Sequence, residues 1–177
     1  MSKHAISLSI WAIVFAIAFL GASPAFSYPF MAFSLFLASC LIWICAVDFK
    51  AHRIPNSTVL LLALGGVAML ISSEPEIIWN RLLESLIVLI IMSAISTAAK
   101  YLSKNQAFGF GDVKLLAAGT LWLGLQGIYA AAFSAFAAGL IFIVIAVLAG
   151  KRKLGQPIAL GPFIALGIWG AWLFMLT

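Results

Sequence analysis

Charged residues are scarce in this sequence. Only 8% of its 177 residues are Asp, Glu, Lys or Arg, whereas 65% are hydrophobic. A soluble domain carries roughly a quarter charged residues, so the chain has too little polar surface for a solvated globule. This shortage predicts an all-α, polytopic transmembrane helical bundle of about six or seven helices. The length suits one membrane-embedded domain over 1–177.

Cysteines are also few. The two cysteines, Cys40 and Cys45, lie in one apolar stretch without a CxxC pair, so we expect buried thiols, with no cofactor and no metal.

The sequence contains ten Lys and Arg but only five Asp and Glu. Because the cations lie in short loops, they are typical of membrane topology signals, and membrane lipid is the expected contact rather than nucleic acid.

The apolar residues fall into seven stretches. A bilayer core needs about 20 helical residues, and the third and fifth stretches are shorter than that. Within the sixth, Ala131, Ala135 and Gly139 recur every fourth residue and predict a close helix–helix seam. The stretches cover residues 5–21, 29–47, 57–71, 77–99, 112–125, 127–150 and 159–176.

The loops predict the orientation. Cations occur at 50–53, 100–104 and 151–153, and these segments share one face if every stretch spans once. The positive-inside rule makes that face cytoplasmic. Arg81 is an exception near the opposite face, where it can pair with Glu84 three residues along the helix.

Residues 1–25 have two interpretations. They are either the first transmembrane helix or a signal peptide, because Lys3 and an apolar run precede the small residues of 22–25.

The chain has only two aspartates, Asp48 and Asp112. The first ends the second stretch and the second opens the fifth, so both are predicted at the cytoplasmic face. They could be solvated residues at helix ends. Alternatively, two neighbouring carboxylates can hydrolyse a peptide, because one activates water while the other, protonated, polarises the carbonyl.

Three segments carry recognisable motifs: DFKAHRIPN at 48–56, GFGDVK at 109–114 and PIALGPF at 157–163. Together they resemble the signatures of the type IV prepilin peptidase family of GxGD-type membrane aspartic peptidases. In the third, Ala159-Leu160 replaces the usual Pro-Phe. The resemblance runs from about residue 35 to the end of the chain.

The resemblance implies a bacterial inner-membrane endopeptidase that removes the leaders of prepilins and pseudopilins. Asp48 and Asp112 would be catalytic. Larger members add a cysteine-rich domain and methyltransferase activity, and this sequence resembles the short branch that serves tight-adherence or Flp-type pili. We therefore expect cleavage without methylation; the oligomeric state is not predicted. The supporting residues would be Gly109, Gly111, Lys114, Pro55 and Asn56.

Physical roles can be given to several of these supporting residues. Gly109 and Gly111 allow a tight turn and close approach of a substrate strand. Pro55 disfavours helix at the preceding residue, and Asn56 or Ser57 is expected to cap the next helix. Lys114 fits a topology signal, although it could also act on a nearby carboxylate.

Two other functions remain open. A presenilin-like GxGD protease would cut other membrane substrates, although the Ile-Pro-Asn at 54–56 argues against it. A small transporter or pilus-assembly subunit would use its aspartates to relay protons or bind a cation.

Overall fold

The computed structural model describes residues 13, 15–16, 28–102, 109–150 and 159–176. The first expected helix or signal peptide, 1–25, lies almost wholly outside them. Within the described ranges the chain is helical and has no strand. The helices are α1 (Tyr28–Ala51), α2 (Asn56–Ser73), a 3-10 turn (Pro75–Ile77), α3 (Ile78–Leu102), α4 (Phe110–Leu148) and α5 (Gly161–Leu176).

These helices confirm the predicted helical membrane bundle. Helices α1 to α4 are each long and apolar enough to cross a bilayer, and α5 is shorter. Exposed Trp79 and Tyr101 lie near the two ends of α3, separated by about 33 Å at 1.5 Å per residue. That spacing matches a bilayer whose two interfaces hold aromatic side chains. The total of six or seven helices stays a prediction.

Helix α4 turns back on itself at Gly124. A straight helix of its 39 residues would be about 58 Å long, far longer than the bilayer core. Gly124 has φ 66° and ψ −178°, a conformation nearly confined to glycine. A Cβ on Gly119 would lie 3.0 Å from the Ile128 side chain, which is possible only if arms 110–123 and 125–148 fold together. The sequence separated its fifth and sixth stretches at nearly this point.

The predicted pair of Arg81 and Glu84 holds this turn. Their side chains form a 3.5 Å ion pair, and a Cβ at Gly124 would collide with the Arg81 guanidinium. The Glu84 carboxylate also accepts a hydrogen bond of 3.1 Å from the Leu125 amide. That amide begins the second arm and has no acceptor within its own helix, so Glu84 acts as its cap.

Helix α5 packs between α1 and both arms of α4. Trp172 donates to the Ser34 hydroxyl at 2.8 Å and meets Trp122 edge to face. Cys40 and Cys45 are buried in α1, in agreement with the sequence analysis. The predicted seam is also confirmed: Ala131, Ala135 and Gly139 are buried, and Gly139 faces Leu160 and Phe163.

These contacts give the bundle two ends. One end contains the carboxyl end of α1 and the amino ends of α4 and α5. We call it the dyad end, after Asp48 near the end of α1 and Asp112 near the start of α4. At the other lie Gly124 and the carboxyl end of α5, since Gly127 lies beside Met175; we call it the turn end.

Candidate active site

Asp48 lies in the last turn of α1 and points into the bundle. Only 5% of its surface is exposed. Its Oδ2 accepts a hydrogen bond of 3.0 Å from the backbone amide of Gly161, the first residue of α5. That amide has no acceptor within its own helix, so Asp48 joins the end of α1 to the start of α5. His52, at φ 49°, then directs the chain out of the helix.

Asp112 lies in the first turn of α4 and is half-buried. Its Oδ2 accepts a 3.2 Å bond from the Gly109 amide, and the Gly109 carbonyl accepts one of 3.1 Å from the Asp112 amide. This reciprocal arrangement is that of a capping box. It holds the carboxyl group beside the amino end of its own helix.

The two aspartates share the dyad end. Asp48 is close enough to Asp112 for the charges of the two carboxyl groups to interact. Within the described ranges, neither forms a salt bridge with a cation. Two such carboxyls hold one proton between them more readily than an isolated carboxyl would. The pair can therefore offer an ionised and a protonated carboxyl together, as hydrolysis of a peptide requires.

The segments around the two aspartates contact each other. A Cβ on Gly111 would lie 3.2 Å from the Cβ of Ile54, so the chain leaving α1 packs on the start of α4. Lys114 donates to the Asn56 side-chain oxygen at 3.1 Å, and its ammonium lies 4.8 Å from the centre of the Phe110 ring. These contacts hold the loop between α1 and α2, and the start of α2, against the start of α4 that carries Asp112.

The expected capping role of Asn56 and Ser57 is wrong. Pro55 occupies the cap position of α2, and no side chain caps the helix there. Proline provides the extended backbone, with φ −67° and ψ 125°, while the Asn56 side chain is used for Lys114 instead. Pro55 thus separates the loop from α2, in agreement with the sequence analysis.

Glycines border both carboxyl groups. A Cβ on Gly109 would lie 3.3 Å from Asp112 Oδ2, and one on Gly161 would lie 2.6 Å from Asp48 Oδ2. The second distance is too short for any real side chain, so Gly161 must lack one for Asp48 to lie where it does. Gly161 is not among the site residues predicted from the sequence. The pattern that could have identified it is the Gly-Pro-Phe at 161–163, in the third family-like segment.

A metal site has no support in the described ranges, since no three His, Cys, Asp or Glu side chains cluster there. The hydrogen bonds of the Asp48 and Asp112 carboxyl groups described above come from backbone amides.

Comparisons of the sequence with known proteins identify a family. Residues 35–149 match the type IV leader peptidase family. The chain is similar to prepilin leader peptidase/N-methyltransferases of Pectobacterium carotovorum (29% identity; 76% of this chain, 48% of the relative), Aeromonas salmonicida (26%; 80% and 48%) and Burkholderia pseudomallei (28%; 74% and 42%). It spans about half the length of these relatives. No solved structure matches it significantly. Because the matched region includes both aspartates, Ile-Pro-Asn and GxGDxK, the chain belongs to the type IV leader peptidase family.

Proposed function

We propose that this protein is an aspartic endopeptidase that removes the leader of type IV prepilins. Asp48 and Asp112 are the catalytic residues. The observation that carries the proposal is the convergence of three segments distant in sequence: Gly161 binds Asp48, and both Ile54 and Asn56 contact the segment that contains Asp112.

Hydrolysis follows from the pair of carboxyl groups. The ionised member takes a proton from a water molecule, and that water attacks the scissile carbonyl carbon. The protonated member donates a hydrogen bond to the carbonyl oxygen as charge develops there. The proton taken from water then passes to the amine nitrogen as the C–N bond of the tetrahedral intermediate breaks, which leaves a carboxylic acid and a free amine. Gly109 and Gly111 leave room for the backbone of an extended substrate beside Asp112.

Lys114 and Asn56 support the site from outside it. Their 3.1 Å hydrogen bond joins the start of α4 to the start of α2. Because Ile54 also packs on Gly111, this contact keeps the α1–α2 loop against the Asp112 segment. In the proposal both residues position the aspartates and neither takes part in proton transfer.

The dyad end is the proposed cytoplasmic face of the bacterial inner membrane. Lys50, Arg53 and Lys100 are exposed at this end, and short basic loops favour the cytoplasm. A site there would meet the junction between the soluble leader of a prepilin and the apolar helix that follows it.

Tight-adherence or Flp-type prepilins are the proposed substrate class, on the strength of the sequence resemblance alone. Methyl transfer, the second activity in the names of the relatives, is not part of the proposal, which concerns the two aspartates only. Pseudopilins are the second expected group of substrates.

Coexpression with an epitope-tagged type IV prepilin tests the proposal, read as a size shift on a gel. The wild-type chain should remove the leader. Asp48→Asn and Asp112→Asn should each lower the initial rate by at least about a thousandfold, because an asparagine amide can neither take a proton from water nor share one with the remaining carboxyl group. Glu74→Gln is the matched control, as it removes one acid from the loop at the turn end.

Three outcomes would count against the proposal. Full cleavage by either Asp variant would exclude a catalytic pair. Loss of cleavage in the Glu74→Gln control would show that the assay reports general damage to the protein. An unchanged prepilin with the wild-type chain, combined with proton or cation transport that requires Asp48 or Asp112, would favour a transporter instead.

A further inference from the structure

A concave region lies between the second arm of α4 and α5 on the membrane-embedded surface. This groove has a volume of about 660 Å³ and is lined by small residues on both walls. Ala130, Ser134 and Ala138 form one wall, and Gly167, Gly170 and Ala171 lie on the other. It extends from Phe163 near the dyad end to Met175 at the turn end, which is about 18 Å along a helix.

The same arm shows what such a row of small residues accommodates. Ala131, Ala135 and Gly139 form the neighbouring row, and that row packs closely against α5. Rows of small residues let helix backbones approach closely inside a membrane. The row of Ala130, Ser134 and Ala138 has the same spacing, yet it faces the open groove. Its shape therefore suits another helix.

The groove offers an occupant a mostly apolar surface, with the polar side chain of Gln126 on its lining. The Ser134 hydroxyl already donates to the Ala131 carbonyl at 2.9 Å, so it needs no partner from outside. Phe15, a described residue of the amino-terminal segment, lies outside the groove. It packs on Trp169 with ring centres 5.4 Å apart. Trp169 is next to Gly170 in sequence, so the two residues point about 100° apart around α5, and only Gly170 lines the groove.

We propose that this groove binds the apolar helix of the prepilin substrate; the inference rests on the proposed function. The groove reaches Phe163, two residues from Gly161, whose amide binds Asp48. A helix there would run from the dyad end toward the turn end, as the part after the leader must. Between Asp48 and the groove, the substrate residues that precede this helix need only cross the start of α5. At a helix diameter of about 10 Å, three or four extended residues at about 3.3 Å each suffice.

Gly170 gives a direct way to block the groove. A Cβ added there meets no atom within 4 Å, and replacing a helical glycine favours the helix. Gly170→Leu should therefore fold as well as the wild type, yet lower the initial rate of prepilin cleavage at least tenfold. Gly170→Ala should have a smaller effect. Phe133→Leu is the control, because Phe133 is exposed on the same arm outside the groove.

Photocross-linking tests occupancy without relying on turnover. Benzoylphenylalanine is placed at position 134 or 133 in full-length Asp112→Asn protein, coexpressed with a tagged prepilin that the wild type cleaves. Position 134 should give an enzyme–prepilin adduct, and position 133 should give little or none. An adduct of two enzyme chains from position 134 would indicate a second copy, and adducts only with lipid would indicate an acyl chain; either would overturn the inference.

Failure of the inference can be told apart from failure of the proposed function. If the wild type cuts prepilin, but Gly170→Leu cuts equally fast and position 134 gives no prepilin adduct, the groove assignment is wrong and the peptidase assignment stands. If the wild type cuts no type IV prepilin, the proposed function fails and this inference fails with it.

Discussion

The two ends of the bundle contain the same interaction, a carboxylate that accepts a helix-start amide, in different surroundings. At the turn end, Glu84 accepts the Leu125 amide at the start of a helical arm and has Arg81 at 3.5 Å. At the dyad end, Asp48 likewise accepts the amide at the start of α5. In the described ranges no salt bridge joins Asp48 to a cation, and its charge acts on Asp112, a second acid.

In the proposed function, this difference separates a structural carboxylate, Glu84, from a reactive one, Asp48. A carboxylate paired with a guanidinium has its charge balanced and remains ionised. Two carboxyls that face each other cannot both ionise easily, so they retain a proton that chemistry can use. Substitutions at the turn end should therefore change stability, whereas those at the dyad end should change the rate of cleavage.

The largest expected effect at the turn end is that of Gly124→Ala. The added Cβ would collide with Arg81, and the backbone conformation is one that alanine rarely adopts. The cost should be about 3 kcal/mol of unfolding free energy, measured by thermal unfolding in detergent. A variant as stable as wild type would contradict the fold-back at Gly124.

Gly161→Ala is the matching substitution at the dyad end. Its Cβ would lie 2.6 Å from Asp48 Oδ2, so the carboxyl group must move away from its amide donor and from Asp112. We expect cleavage to slow by about ten- to a hundredfold, because catalytic geometry tolerates little displacement. Stability should change little, since alanine suits a helix. An unchanged rate would mean that the Gly161–Asp48 contact is not needed for catalysis.

A smaller effect is expected for Glu84→Gln. Glutamine can still accept the Leu125 amide but no longer pairs with Arg81. The loss should be about 1 kcal/mol of unfolding free energy, while the rate of prepilin cleavage stays near that of wild type. Glu76→Gln, in the 3-10 turn, is the control for removing one acid. A large drop in cleavage with unchanged stability would contradict the proposed division between the two ends.

The smallest expected effect is that of the Lys114–Asn56 contact. Lys114→Met and Asn56→Ala each remove one exposed hydrogen bond, and each should slow cleavage only a few-fold. The double variant should be no slower than either single one, since both remove the same interaction. If the effects multiply instead, the two residues act independently of each other.

The sequence predicted the helices better than it predicted their contacts. Apolar stretches and loop charges were sufficient to place α1 to α5, and even to separate the arms of α4 near Gly124. The Lys114–Asn56 and Gly161–Asp48 contacts join residues 58 and 113 positions apart. No local pattern specifies such contacts, because they depend on how the helices pack. For the same reason Asn56 was expected to cap its own helix.

Glu84 illustrates the same limit. Its pairing with Arg81 follows from helix geometry and was predicted, and it is confirmed. Its second bond, to Leu125, exists only because α4 folds back beside α3. By contrast, the grouping of Asp48 and Asp112 at one end follows from the topology that the loop charges predict.

The central claim is that Asp48 and Asp112 form one pair at the dyad end, and site-directed cross-linking measures their proximity most directly. Both are replaced by cysteine in full-length protein carrying Cys40→Ala and Cys45→Ala, and a short bifunctional thiol reagent is added. The account predicts efficient cross-linking of positions 48 and 112 and none between cysteines at 48 and 84. Folded protein in which the 48–112 pair does not cross-link, or the 48–84 pair reacts equally well, would contradict it.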